Sequence, residues 1–171
     1  MFDNALLASE AIYQNQLCIV PAQYEDCEAV LSLFGALHAY NASLDSHFAL
    51  SEDWQALLRQ QFYEDYQHPD KLWLLVKEGD EAVGLLIAGV HVDSPLFRYR
   101  RWVEVEALYV APSHRRLGLA DALLNHAYIW AEAQGLPRVQ LYVTASNVRA
   151  QTVYTEQGFT IAQAIMRKTL G

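Results

Sequence analysis

The sequence predicts a mixed α/β fold, an α/β (α+β) domain in which helices flank a central β-sheet. Two observations carry this prediction. β-rich runs and helix-period runs follow one another in the order β-α-α-β-β-β-α-β-α-β, and Gly and Pro residues separate many of them. With 171 residues, 53% of them hydrophobic, the chain is long enough to bury the core of one domain.

In the first half of the chain, one short strand precedes two helices. Leu17–Val20 is rich in apolar residues and is ended by Pro21. From Tyr24 to Tyr40 the apolar residues recur at helical spacing. The segment Ser51–Asp53 is typical of a helix N-cap with acidic residues in the first turn, so a second helix is predicted from there to about Tyr66.

The second half supplies the rest of the sheet and two more helices. Its strands are rich in β-branched and aromatic residues, and the apolar residues of its first helix fall on one face. The prediction of the final strand is based only on the alternation of apolar and polar residues. In order, these elements are strands Lys71–Lys77, Ala82–Val92 and Trp102–Val110, a helix from Ala120 to about Gly135, strand Val139–Val143, a helix from Asn147, and strand Thr160–Leu170.

Composition argues against several classes of protein. No apolar run approaches the roughly 20 residues of a transmembrane helix, and residues 1–16 lack the Lys and Arg of targeting peptides. We therefore expect a cytoplasmic protein, with residues 1–16 as an N-terminal extension containing a short helix around Leu6 to Tyr13, and residues 17–171 as the domain. Cys18 and Cys27 form no CxxC pair and the histidines show no zinc-like spacing, so no metal is expected.

The charge of the chain is unevenly distributed. Residues 1–58 hold eight carboxylates and no Lys or Arg, whereas the remainder, with all 12 Lys and Arg residues, is neutral overall. An acidic half disfavours nucleic acid as a partner and attracts cations. A solvated, solubilising surface explains the same pattern.

A basic, glycine-bearing loop follows the predicted strand Trp102–Val110. Arg115-Arg116-Leu117-Gly118-Leu119-Ala120 then leads into a helix. The first turn of a helix offers free N–H groups and a favourable dipole, and small residues let a phosphate approach the backbone. The loop therefore predicts a phosphate or pyrophosphate site. A positively charged helix start with an ordinary glycine is the alternative for the short pattern taken alone.

Two glutamates lie in the strand that precedes this loop. Strand alternation puts Glu104 and Glu106 on one face unless a bulge intervenes. A carboxylate in a central strand is costly unless it is solvated or paired, and it is able to act as a proton acceptor. A solvated face paired with Arg98, Arg100 and Arg101 is the alternative.

A second motif, Asn147-x-x-Ala150-x-x-x-Tyr154-x-x-x-Gly158-Phe159, predicts a short helix capped by its asparagine. Together with Val103–Ala120 it resembles the GNAT family of N-acetyltransferases. The resemblance covers roughly Leu17 to Leu170. It implies transfer of an acetyl group from acetyl-CoA to an amine by direct attack in a ternary complex, and a sheet splayed between its fourth and fifth strands where the pantetheine arm inserts.

The resemblance also implies roles for individual residues. Tyr154 is the general acid that protonates the CoA thiolate, and Glu106 is the base, with Glu104 as a second candidate for base or acceptor binding. The residues implied to bind acetyl-CoA are Leu108, Tyr109 and Val110 for the pantetheine arm, Arg115, Arg116, Leu117, Gly118, Leu119, Ala120 and Asp121 for the pyrophosphate, and Asn147 and Tyr154 nearby.

The acceptor is less constrained than the donor. The layout looks most like the spermidine/spermine and diamine acetyltransferase branch, although Ala107 departs from the acidic residue often found there. A polyamine, another small amine or a peptide amine all fit. The rival hypotheses are a non-catalytic acyl-CoA-binding module and a nucleotide-phosphate binder. The content of 10 Tyr, 6 Phe and 4 Trp permits a homodimer.

Overall fold

The computed structural model describes residues 17–170, and these form one mixed sheet with helices on both faces. The predicted N-terminal extension, residues 1–16, lies outside the described residues, as does the helix expected within it. The described elements are β1 (Leu17–Pro21), α1 (Cys27–Leu44), α2 (Trp54–Asp65), β2 (Lys71–Glu78), β3 (Glu81–Val92), β4 (Arg101–Val110), α3 (Leu119–Ala133), β5 (Val139–Leu141) and α4 (Val148–Glu156), with 3-10 turns at Tyr24–Asp26, Ser46–Phe48 and Pro112–His114.

The strands lie in the sheet in chain order, from β1 to β5. The first four strands pair antiparallel, and β5 joins β4 in parallel after the crossover through α3. The pairing of β4 with β5 spans only three positions, from Val103 with Val139 to Val105 with Leu141. Beyond these positions β4 continues to Val110 without β5 beside it. The predicted splay between the fourth and fifth strands is therefore confirmed, and it opens a wedge in the sheet.

A β-bulge in β4 lies at the point where the wedge begins. Ile87 of β3 pairs with Ala107, and Ala88 pairs with Val105, so Glu106 is an extra residue on the bulged strand. Val105 packs in the core on the α3 side of the sheet, whereas Ala107 packs in the core on the α1–α2 side. The bulge thus changes which face each side chain of β4 meets, and it turns Glu106 toward the mouth of the wedge.

Two apolar cores hold the sheet between its helices. On one face Leu123, Leu124 and Ala127 of α3 are fully buried against the sheet. On the other, Phe62 of α2 packs edge-on against Trp73 of β2, with ring centroids 5.3 Å apart. Full burial of one large apolar side chain stabilises a fold by about 1.5 to 3 kcal/mol, so these faces fix the helices that border the wedge. Within residues 17–170, no helix is long and apolar enough to cross a bilayer.

The element order is confirmed up to α4, and the predicted last strand is wrong. Residues from Thr160 to Leu170 form neither strand nor helix. Ile161, Ile165 and Met166 are more than 80% exposed, because this segment pairs with no strand and covers no core. Alternation predicts a strand only where one face has something to pack against. Arg167 instead holds the segment near the end of α1 through Asp45, with 2.9 Å between its Nη1 and the carboxylate Oδ2.

Candidate functional site

A cavity of about 350 Å³ fills the wedge between β4 and β5. We call it the wedge cavity. One end is formed by the basic loop and the first turn of α3, and the other by Glu106 with the last turns of α1. The α1 residues that line it are Leu37, Tyr40 and Asn41, and α4 forms a further wall through Asn147, Arg149, Ala150, Val153 and Tyr154. Main-chain hydrogen-bond donors and titratable side chains thus face the same cavity.

The basic loop turns sharply before it enters α3. Gly118, the N-cap residue, has φ 73° in the left-handed region, and Arg116 has φ 69°. A non-glycine residue in that region costs about 1 to 3 kcal/mol, so the path of the loop is held against local preference at Arg116. The first intrahelical bond runs from the N–H of Ala122 to the carbonyl of Gly118. The N–H groups of the preceding first turn are therefore available to an anion at this end of the wedge cavity.

The open edge of β4 offers main-chain groups to the wedge cavity. The N–H of Ala111 donates to the carbonyl of Val83 at 2.8 Å, so these two residues form a hydrogen-bonded pair of the β3–β4 ladder. Hydrogen-bonded and non-hydrogen-bonded pairs alternate along antiparallel strands. The N–H and C=O groups of Val110 and Leu108 consequently point away from β3 and into the wedge, where an extended amide-bearing chain is able to pair with them.

Arg115 ties the basic loop to the end of β4. Its Nε donates to the carbonyl of Val110 at 3.0 Å, and its guanidinium lies 5.9 Å from the ring centroid of Tyr109. These contacts leave its remaining N–H groups and its charge beside the wedge cavity. Arg115 therefore acts both as a brace for the loop and as a positive charge near the free N–H groups of α3.

Asn147 caps α4, as its position in the second motif predicts. Its Oδ1 accepts a hydrogen bond from the N–H of Ala150 at 3.2 Å. The cap places the amide at the wall of the wedge cavity. Its side-chain NH₂ group is not used by the cap, so capping and contact with a ligand are compatible.

Tyr154 lies deep in the wedge cavity. Its ring packs edge-on against Phe159, with centroids 5.8 Å apart. Burial, with a smaller contribution from the nearby Tyr128, raises the pKa of Tyr154 to about 12. The phenol consequently stays protonated at neutral pH and is a hydrogen-bond donor toward the cavity.

Tyr128 was not singled out by the sequence, yet it belongs to the same region. Burial, followed by the negative charge of Asp121, raises the pKa of this phenol. Its hydroxyl oxygen is buried, and among residues 17–170 it has no hydrogen-bond partner. The only sequence signal for it is an aromatic residue on the apolar face of α3.

Glu106 does not stand alone at its end of the wedge cavity. Its Oε1 lies 2.7 Å from the Nζ of Lys71, and that ammonium lies 4.0 Å from the Oδ2 of Asp65. Asp65 in turn accepts a hydrogen bond of 3.0 Å from the indole of Trp73. Burial raises the pKa of Asp65, although Lys71 and Trp73 act in the opposite direction. We call Asp65, Lys71 and Glu106 the carboxylate network.

Glycine at position 89 makes room for the carboxylate network. In the sheet Gly89 pairs with Lys71 on one side and with Glu104 on the other. A Cβ at this position would lie 2.8 Å from the Oε1 of Glu106 and 3.0 Å from the Nζ of Lys71. The ion pair thus crosses β3 over a residue that has no side chain.

Glu104 occupies a different environment from Glu106. Its Oε2 accepts a hydrogen bond of 3.4 Å from the indole N–H of Trp102 and lies 3.8 Å from the Nδ1 of His91. The His91 ring stacks on Trp102, and the Arg138 guanidinium lies 4.3 Å from the centroid of the same indole. Glu104 is not among the residues that line the wedge cavity, so the two glutamates face separate surroundings.

Most of the site residues predicted from the sequence converge on the wedge cavity. Those that line it are Glu106, Leu108, Tyr109, Val110, Arg115, Arg116, Gly118, Leu119, Ala120, Asp121, Asn147 and Tyr154. Leu117 does not line it, and its side chain is 54% exposed. Sequence reasoning missed Lys71 and Asp65, which no motif marks. Within residues 17–170, no three His, Cys, Asp or Glu side chains gather as metal ligands.

Curated relatives match part of the chain. The mycothiol acetyltransferase of Beutenbergia cavernae is 35% identical over 103 residues, which are 60% of this chain and 33% of that protein. The chain thus spans about a third of the length of this relative.

Solved structures match nearly the whole chain. An aminoglycoside antibiotic 6'-N-acetyltransferase from Acinetobacter haemolyticus superposes with a TM-score of 0.70 at 21% identity, over 90% of this chain and 98% of that chain. An aminoglycoside N-acetyltransferase in complex with CoA superposes with a TM-score of 0.75 at 16% identity, over 93% of this chain and 97% of that chain. At these identities the superpositions show a shared fold.

The sequence also matches the family model described as Acetyltransferase (GNAT) family over residues 37–159. This match includes both motifs, the bulged strand β4 and the wedge beside it. Because it covers more than two thirds of the chain, the chain belongs to the acetyltransferase (GNAT) family.

Proposed function

We propose that the protein is an acetyl-CoA-dependent N-acetyltransferase that acetylates a primary amine by direct attack in a ternary complex. The observation that carries the proposal is the wedge cavity itself. The free N–H groups at the start of α3, the carboxylate of Glu106 and the phenol of Tyr154 all face it. An acyl transfer needs an anion site for the donor, a base for the amine and a proton donor for the leaving group.

The basic loop and the start of α3 form what we call the donor end. The N–H groups of α3, the dipole of that helix and the charge of Arg115 and Arg116 suit the pyrophosphate of acetyl-CoA. The wedge-facing groups of Leu108 and Val110 suit the amides of the pantetheine arm. The relative solved with CoA has the same fold, which supports this assignment.

The region around Glu106, Tyr40 and Asn41 forms what we call the acceptor end. Glu106, directly or through a water, takes the proton that an acceptor ammonium loses before its nitrogen attacks the thioester carbonyl. The nitrogen gives up a second proton to water as the tetrahedral intermediate collapses to the amide. A wedge-facing N–H of β4 donates to the oxyanion that forms. As the C–N bond is made and the C–S bond breaks, the negative charge moves to the sulfur, next to Tyr154.

Tyr154 supplies the proton that the departing thiolate takes up, and solvent then reprotonates the phenol. With its pKa raised to about 12, Tyr154 is a weaker acid than a thiol, whose ordinary pKa is about 8.5. Complete transfer is therefore uphill even to the full thiolate, and it goes forward because solvent reprotonates the phenol. The assistance is a hydrogen bond that strengthens as charge builds on the sulfur, which is the pattern of a group acting mainly in the transition state.

A small-molecule amine is the acceptor class that we propose. Relatives of the chain include a mycothiol acetyltransferase, and proteins of the same fold include aminoglycoside acetyltransferases. The carboxylates at the acceptor end and the acidic first part of the chain favour a cationic substrate. A polyamine and a peptide amine are the alternatives that the acceptor panel tests. The cytoplasmic location, the homodimer and the role of Glu104 as a second base stay predictions from the sequence.

Release of free thiol from acetyl-CoA tests the proposal, measured against a panel of monoamines, polyamines, aminoglycosides, amino acids and short peptides. We expect release that depends on one acceptor class. The Tyr154→Phe variant should lower the rate and leave the affinity for acetyl-CoA unchanged. Tyr24→Phe, at an exposed tyrosine on the α1 side, is the matched control. Tight CoA binding without release from any acceptor would contradict the transferase and favour a non-catalytic acyl-CoA-binding module.

A further inference from the structure

The carboxylate network brings an ammonium group of the chain itself to the acceptor end. The Nζ of Lys71 lies 2.7 Å from Glu106 and 4.0 Å from Asp65. The Lys71 side chain is 23% exposed, and the side chains of Asp65 and Glu106 are 18% and 32% exposed. Charges that are partly shielded from water in this way interact more strongly than charges on an open surface.

Lys71 does not line the wedge cavity itself, but it is ion-paired with the one carboxylate of β4 that does. It lies over Gly89 beside Glu106, and Glu106 lines the wedge cavity. Among residues 17–170, no other Lys or Arg is ion-paired with Glu106 or Asp65. Glu104, the next carboxylate along β4, is engaged by Trp102 and His91 instead.

The charge balance of the carboxylate network determines which amine it accepts. Two carboxylates and one ammonium leave a single net negative charge, which one acceptor ammonium neutralises. A diamine brings a second ammonium, for which the carboxylate network offers no further negative charge, because Lys71 already neutralises one carboxylate. Since like charges repel most at short range in a shielded site, the second charge is disfavoured.

We propose that Lys71 is a specificity-determining residue that restricts the acceptor to amines with one positive charge near the reacting nitrogen, and that it selects against diamines and polyamines. This inference rests on the proposed function of the wedge cavity. It also runs against the diamine-acetyltransferase branch that the chain resembles, because an internal ammonium already neutralises negative charge that a polyamine would need.

Butylamine and diaminobutane form a matched pair of probes that differ by one ammonium group. Their affinities for the CoA-loaded protein are measured by calorimetry, for the wild type and for Lys71→Met, which keeps the length of the side chain and removes its charge. We expect the preference for diaminobutane over butylamine to rise about tenfold in Lys71→Met, and this rise to shrink at high salt.

Two variants serve as controls. Lys71→Arg keeps the positive charge and should show the wild-type preference. Arg59→Met removes the cation of a similar ion pair, at 2.7 Å from Glu28 and remote from the wedge cavity, and should also leave the preference unchanged. A general structural defect weakens both amines equally, so it does not move their ratio. Melting curves check that each variant is folded.

Three outcomes overturn the inference: an unchanged ratio in Lys71→Met, an equal change in Arg59→Met, or binding of neither amine to any variant. Thiol release separates the inference from the proposed function. Release in the wild type with an unchanged ratio refutes the role of Lys71 and leaves the transferase standing. A shifted ratio of the two amine affinities, without release of thiol in the presence of any amine, supports the role of Lys71 and contradicts the transferase.

Discussion

The donor end of the wedge cavity is formed by one continuous segment, Leu108–Asp121, whereas the acceptor end is lined by α1 and β4, and Lys71 of β2 and Asp65 of α2 are joined to it through Glu106. At the donor end the available groups are mostly main-chain N–H and C=O groups, positioned by the end of β4 and the start of α3. At the acceptor end they are side chains held by one another. A main-chain site tolerates many side-chain changes, and a side-chain site is sensitive to each of them.

On the proposed function, this difference separates a donor site made of main-chain groups from an acceptor site made of side chains. Acetyl-CoA presents the same pyrophosphate and pantetheine in every reaction, and the geometry of a helix N-terminus suits them without specific side chains. On the proposed function, recognition of the acceptor would depend on side chains such as Lys71 and Asp65, which the sheet and helices bring together. The predictions below test whether the two ends respond independently.

Glu106→Gln should have the largest effect. Loss of the base lowers kcat/KM for the acceptor by about a hundredfold or more at neutral pH. The Kd for acetyl-CoA should stay unchanged, because Glu106 lies at the acceptor end. Glu28→Gln removes the carboxylate of a similar ion pair far from the cavity and should leave both constants unchanged. A loss of acetyl-CoA affinity in Glu106→Gln as large as the loss of kcat/KM for the acceptor would contradict the separation of the two ends.

Tyr154→Phe should lower kcat by about ten- to a hundredfold, since one hydrogen bond to the leaving sulfur is lost while the ring packing is kept. The pH profile gives a second readout. The protonated phenol is the active form, and burial raises the pKa of Tyr154 to about 12, so that form is lost only as pH rises through about 12. Wild type and variant should therefore have the same profile shape up to about pH 10. A fall in wild-type rate near pH 9 that the variant lacks would contradict this.

The contrast between the two ends also decides what the sequence could predict. Of the residues predicted for the donor end, nearly all line the wedge cavity, because Arg115 to Asp121 are neighbours in the chain and their spacing reflects local backbone geometry. Only Leu117 fails to reach the cavity, since it faces solvent. The family resemblance predicted that the sheet splays between its fourth and fifth strands, and the short β4–β5 pairing confirms this prediction.

The acceptor end was predicted in part. Alternation alone gives Glu104 and Glu106 one environment, whereas the bulge at Glu106 separates them. The partner of Glu106 is 35 positions away, and its contact depends on the register of β2 against β3 and on the absence of a side chain at Gly89. Strand register is a property of the assembled sheet, so the sequence around Lys71 does not predict the contact with Glu106.

Gly89→Ala tests the acceptor end without changing any charged residue. The new Cβ displaces both Glu106 and Lys71, so we expect kcat/KM for the acceptor to fall about tenfold as the base loses its position. Acetyl-CoA affinity should be unaffected. Gly35→Ala is the control, because its Cβ also crowds a side chain, that of Trp54 at 2.9 Å, outside the carboxylate network. Wild-type acceptor kinetics in Gly89→Ala would show that the ion pair does not position Glu106.

Gly118→Ala tests the donor end in the same way and should have the smallest effect. Gly118 has φ 73°, and an added Cβ meets no atom within 4 Å, so the change acts only through backbone conformation. Relaxation of that strain turns the N–H groups of α3 away from the pyrophosphate, and we expect the Kd for acetyl-CoA to rise about threefold to tenfold. Gly79→Ala offers a close match, because Gly79 has φ 60° in the β2–β3 turn and is equally open. Both variants should lose similar thermal stability, since the strain is alike. Only Gly118→Ala should weaken the binding of acetyl-CoA. Neither variant should alter the preference between acceptors, because that preference depends on the side chains at the other end of the wedge.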